Sequence, residues 1–213
     1  MAEASEARIE DISVAEWDGG SLPYSVGHKK LGMWLFILSD SLTFSALLIG
    51  YSYVRVASPS WPTPFHLWPT IAMASLMTFC LLSSSLTMVL GVNAANRDDR
   101  RAAVRWIIFT LLGGVAFIIL HANEWRGLIE EGVTLFQNPW GTPLFGATFF
   151  GLTGMHMFHV ATGVLYLGVM AIGVGRGRFG PEHVEVCGLY WHFVDLVWMF
   201  IFPLVYLLSV NMH

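Results

Sequence analysis

From Val56 to Asn96, and again from Gly132 to Gly175, the chain carries no aspartate, glutamate, lysine or arginine. Apolar runs longer than about 18 residues read as helices that cross a bilayer, because hydrocarbon gives backbone N–H and C=O groups no partners but each other. Composition agrees. Of 213 residues, 55% are hydrophobic and 12% charged, where a soluble domain carries about 25% charged. Cys80 and Cys187 lie in or beside apolar stretches, without a spacing that suggests zinc, haem attachment or a redox pair. They read as small buried hydrophobes. The net charge of -4 sits in loops and at the amino terminus, and no basic stripe points to nucleic acid.

Five spans are predicted, at about Lys30–Val56, Pro69–Val92, Val104–Ala122, Thr142–Val174 and Val184–Val210. The expected fold is an all-α membrane protein, a bundle of five transmembrane helices. Residues 1–28 form a polar extramembrane arm, and 29–213 form the membrane domain. The acidic start lacks the basic region, short apolar core and cleavage site of a signal peptide, so the first span is expected to stay in the mature protein. Between the first two spans, Pro59, Pro62, Pro64 and Pro69 stop the helix, while Trp61 and Trp68 suit the membrane interface.

Basic residues set the orientation. With five spans, Arg8, Lys29, Lys30, Arg97, Arg100, Arg101, Arg105, Arg176 and Arg178 share one side, and only Arg55 and Arg126 lie on the other. The positive-inside rule then puts the amino terminus in the cytoplasm and the carboxyl terminus outside.

Ionisable groups inside the spans carry the functional signal, since such groups are costly in hydrocarbon unless paired or facing protein or a cavity. At about 1.5 Å per residue, Asp40 and Asp195 each lie roughly 14 Å from the cytoplasmic ends of their helices. His156 and His159 lie roughly 18 and 22 Å from the external end of theirs. With His192, these groups are expected to share one layer. His156/His159 and His192/Asp195 are i,i+3 pairs, and each pair shows one helix face. Three readings are open: a hydrogen-bonded cluster that fixes packing or a subunit or lipid contact, a proton antenna or relay, and a transition-metal site. The last lacks the Glu-x-x-His pattern and the carboxylates of bridged centres.

Glu124 is read as a helix-end acid near Arg126, and Glu185 as a helix-end acid favoured by a helix amino terminus. Gly113, Gly114, Gly151, Gly154 and Gly163, with Ser83, Ser84 and Ser85, read as small residues for close helix contact. No phosphate loop, nucleophile elbow or HExxH occurs, and no inverted repeat suggests a transporter. A small bundle without chemistry of its own points to a subunit of something larger.

Three stretches resemble one family. LYWHFVDLVWMFIF (Leu189–Phe202), TFFGLTGMHMFHVATG (Thr148–Gly163) and GMWLFILSD (Gly32–Asp40) are similar, in order, to segments of subunit III of the haem–copper oxidases, the cytochrome c oxidase subunit III family. HANEW, around Glu124, resembles the end of that family's third matching helix. The likeness runs from about residue 29 to 211.

The resemblance implies a non-catalytic subunit of a terminal oxidase that reduces oxygen to water and pumps protons. It implies a bacterial plasma membrane location and no cofactor of its own. Haem and copper would lie in partner subunits, oxidase subunits I and II. Phospholipid would be bound, and cytochrome c or quinol would be met only through the complex. By the same resemblance, Asp40 takes the place of the family's intramembrane carboxylate, usually glutamate. His156, His159, Glu124, Glu185, His192 and Asp195 take the family's other polar positions. The long members have seven helices and this chain matches the last five, as do short members in quinol oxidases. Alternatives are an accessory subunit of a nitric oxide reductase system and, in another class, a stand-alone proton or metal transporter built on the His/Asp layer.

Overall fold

A computed structural model describes residues 27–211, so most of the expected polar arm lies outside the described residues. The chain divides into two compact units, one ending at Ser41 and one starting at Leu42. Among the described residues, five helices are long and apolar enough to cross a membrane. They are α1 His28–Ala57, α2 Ala72–Asn96, α3 Arg100–Glu130, α4 Pro143–Gly175 and α5 Pro181–Ile201. The all-α reading and the count of five both hold. Strand β1, Phe65–His66, and strand β2, Val210–Asn211, add one short parallel pairing.

The boundaries follow local chemistry. Pro69, expected to open the second helix, instead sits in an irregular turn at Leu67–Ile71 with Trp68 extended (φ -127°, ψ 130°). A residue before proline is pushed out of the α region, and the regular helix waits for Ala72. Between α2 and α3, Asp98 takes a left-handed conformation (φ 61°), which aspartate tolerates. Asp99 then caps α3 by accepting the Ala102 N–H at 3.0 Å. Helices α4 and α5 both open on proline, whose missing N–H costs nothing in the first turn. Pro203 has the opposite effect. It withdraws a donor from the ladder, and α5 gives way to a π-type turn at Phe202–Tyr206 and a 3-10 turn at Leu207–Ser209.

Helix α3 is longer than expected. The hydropathy signal fades before Glu124, but the helix continues to Glu130.

Within the second unit, α2 packs between α3 and α5, and α4 closes the ring against the same two helices. Helix α5 is buried around much of its circumference, from Val184 to Ile201. Two indoles form the centre. Trp198 is fully buried and donates to Thr78 Oγ1 of α2 at 2.9 Å. Trp191 donates to Ser84 Oγ at 3.0 Å. The small residues now divide by role. A Cβ at Gly114 would lie 2.5 Å from Trp191, and one at Gly163 would lie 2.9 Å from it, so these glycines make room for the indole. Gly113 faces Ser84 of α2, where a Cβ would come within 2.6 Å. Gly151 meets nothing within 4 Å.

The carboxyl end is tied back to α1. Arg55 donates to Ser209 Oγ at 3.0 Å and also to the Leu208 carbonyl, and the Tyr51 hydroxyl lies 3.4 Å from Ser209 Oγ. Hydrogen bonds to a charged group are worth about 1.5–3 kcal/mol. Arg55→Ala should therefore speed hydrogen exchange across Leu207–Val210 by about tenfold, read by mass spectrometry, and leave the helices unchanged. Unaltered exchange there would remove the tether.

Candidate functional site

The histidines of α4 and the polar groups of α5 stand at matching levels. His156 Nε2 donates to the Val194 carbonyl at 3.1 Å, one residue before Asp195. One turn away, the Tyr190 hydroxyl donates to the His159 carbonyl at 3.0 Å. Phe44, on the later part of α1, lies edge-on to both rings, with centroids 6.5 Å from His156 and 5.1 Å from His159. Asp40 stands one turn before Phe44 on the same helix, in the first compact unit.

Level does not mean convergence. His192 turns toward α2, where Ser85 Oγ lies 2.8 Å from its Nδ1. Asp195, itself buried, interacts with the same Ser85 hydroxyl and with His192. His159 Nδ1 donates to the Met155 carbonyl of its own helix at 2.8 Å. The two H-x-x-H/D faces thus engage different neighbours. Among the described residues, no three His, Cys, Asp or Glu side chains form a set able to hold a metal.

The α2–α5 face is the more unusual of the two. A groove of about 380 Å³ runs between these helices, lined by Asn93, Asn96, Glu185, Gly188 and His192 among others. Glu185 stands in the second turn of α5, beside this groove. Ser85 joins His192 to Asp195 at its deeper end. A serine in the run Ser83–Ser85 carries no signal that singles it out, and only the packing of α2 on α5 reveals this role.

Glu124 is not where the sequence reading puts it. It stands within α3, six residues before the helix ends, and its side chain is 9% exposed. Arg126, its expected neighbour, instead pairs with Glu130 at 2.8 Å on the outside of the helix. An i,i+4 pair shares a helix face, whereas residues two apart do not. The partner of Glu124 is Tyr206, whose hydroxyl donates to Oε2 at 2.9 Å. His121 lies one turn earlier, with Nδ1 3.9 Å from the same oxygen, and is fully buried. His121 stacks on Phe117 with centroids 5.5 Å apart, and Trp198 lies edge-on at the same distance. Trp198 also touches His156, with centroids 5.0 Å apart. One indole therefore stands against both the Glu124 group and His156.

Known proteins resemble this chain over nearly its whole length. The family model described as cytochrome c oxidase subunit III matches residues 10–210. Cytochrome c oxidase subunit 3 of Alkalihalophilus pseudofirmus is 31% identical over 187 residues, covering 86% of this chain and 88% of that protein. Quinol oxidase subunit 3 of Bacillus spizizenii is 32% identical over 184 residues, covering 85% and 87%. Cytochrome c oxidase subunit 3 of Corynebacterium diphtheriae is 32% identical over 186 residues, covering 84% and 88%. With five helices able to span a membrane, and a match that runs through all of them, the chain is a multi-pass membrane protein of the cytochrome c oxidase subunit III family.

Proposed function

We propose that this chain is the non-catalytic third subunit of a bacterial haem–copper terminal oxidase, held in the plasma membrane with its amino terminus in the cytoplasm. Its partners are oxidase subunits I and II, which carry the haem and copper, and bound phospholipid fills part of the contact. Its part is to support oxygen reduction and proton uptake by stabilising the catalytic subunit. Family membership supports this reading, and so does the excess of basic residues at the amino-terminal end of α1 and around the α2–α3 and α4–α5 connections.

The observation that carries the subunit role is the α2–α5 groove. Asn93, Asn96, Glu185 and His192 line it, and Leu86 and Val89 beside it are 63% and 51% exposed. Intramembrane ionisable groups face protein or water rather than lipid tails, so a face of this mixed polar and apolar character suits a helix of a partner subunit.

His192→Leu breaks the link to Ser85 and removes polarity from the groove. The expected result is loss of this chain from the complex on mild detergent extraction, seen by native electrophoresis. Full retention of the variant subunit would count against this face as the contact.

A further inference from the structure

Glu124 lies at the inner end of a second cavity, a crevice of about 260 Å³ between α3 and the segment from Pro64 to Met73. One of its oxygens is held by Tyr206. The other, Oε1, is buried without a hydrogen-bond partner. The crevice stays open along α3 because Gly127, one turn on, has nothing within 4 Å of where a Cβ would stand. His66, Asn123 and Glu131 line it and are exposed.

Behind Glu124 the pattern repeats. Both ring nitrogens of His121, Nδ1 of His156 and Nε1 of Trp125 are also buried without partners. Buried polar atoms in folded proteins nearly always have a partner, so Glu124 Oε1, on a residue that lines the crevice, marks a place for a small polar ligand there. The lining is mixed rather than apolar, and a crevice of about 260 Å³ is ample room for water. A metal ion lacks a donor set here, since no three His, Cys, Asp or Glu side chains among the described residues form one.

We propose that the crevice is a water inlet through which Glu124 exchanges its proton with the aqueous phase, and that His121 and His156 are the next protonatable groups inward. In the outward step the O–H bond at Oε1 breaks and an O–H bond to a crevice water forms, leaving carboxylate and hydronium. Tyr206 keeps its hydrogen and goes on donating to Oε2. In the inward step the O–H bond at Oε1 breaks and an N–H bond forms at His121 Nδ1, through a bridging water because Nδ1 lies 3.9 Å from Oε2, leaving carboxylate and imidazolium. One proton moves and no electron does. The titratable groups around Glu124 are His121 on α3, Tyr206 after α5, and His66 and Glu131 at the rim, while Arg126 is turned away to Glu130. In the orientation proposed above, the inlet opens to the outside. The exchange itself does not depend on which partners the chain has.

Infrared spectroscopy of the purified chain in whatever complex it forms tests this. A protonated-carboxyl stretch present in the wild type and absent from Glu124→Gln is expected, shifting on transfer to D2O within the mixing time. Gly127→Trp, which fills open space, should keep the band and slow its exchange at least about tenfold, because exchange then waits on local opening. Tyr206→Phe should move the same band by removing its hydrogen bond, so the assignment survives if Glu124→Gln fails to fold. No such band at any pH would mean that a fixed cation from a partner chain occupies the crevice, and would overturn the proposal. Exchange that takes hours, or that is equally fast in Gly127→Trp, would overturn it as well.

Discussion

Replacing Gly114 with valine is expected to stop the protein from accumulating in the membrane. A Cβ at this position would already lie 2.5 Å from the Trp191 ring and 2.8 Å from Val164. Trp191 cannot retreat, because it is fully buried and its N–H is held by Ser84 at 3.0 Å. Gly163 closes the other side of the ring, where a Cβ would lie 2.9 Å away. Overfilling a packed core costs roughly 1–3 kcal/mol, and this cradle has no free direction of relief. Membrane levels of the chain, read by immunoblot, should fall at least about tenfold. Combining Gly114→Ala with Trp191→Phe, which takes away the outer ring atoms, should restore much of the level lost by Gly114→Ala alone. Such coupling is expected only of residues in contact. Wild-type levels of Gly114→Val would show that the cradle does not constrain the fold.

The second large effect is expected at Trp198. Its indole touches Phe117, His121, His156 and Tyr206, with ring centroids 4.8 to 5.8 Å away. It also donates to Thr78 of α2. Trp198→Ala should cost about 3–5 kcal/mol for the lost side chain and the cavity it leaves, and about 1 kcal/mol more for the hydrogen bond. That is a large part of the stability of a typical domain. The alanine variant should not survive detergent extraction as a folded chain. Trp198→Phe keeps a ring between the two polar groups, and should survive with a lowered melting temperature. An alanine variant that melts like the wild type would contradict this account of the core.

Much of the architecture was legible without coordinates. Charge-free runs mark the helices because lipid leaves a backbone no other choice, and the number of helices follows directly. A rise of about 1.5 Å per residue brings His156 level with the Asp195 region, as the His156–Val194 hydrogen bond shows. The direction each polar pair faces was not legible. An i,i+3 spacing defines a face but not its azimuth among neighbours, so the separate engagements of His156 and His192 emerge only from the packing. Glu124 illustrates the larger gap. Its partner Tyr206 is 82 residues away, past a proline turn that periodicity cannot follow. Hydropathy also ended α3 too early, and so made a buried carboxyl look like an interfacial one.

The subunit assignment is tested most directly by isolating the chain from its native membrane in gentle detergent, with mass spectrometry of its partners and a reduced-minus-oxidised spectrum. A large catalytic subunit arriving with haem and copper is the predicted result. A chain that emerges alone and colourless under the mildest extraction would contradict it.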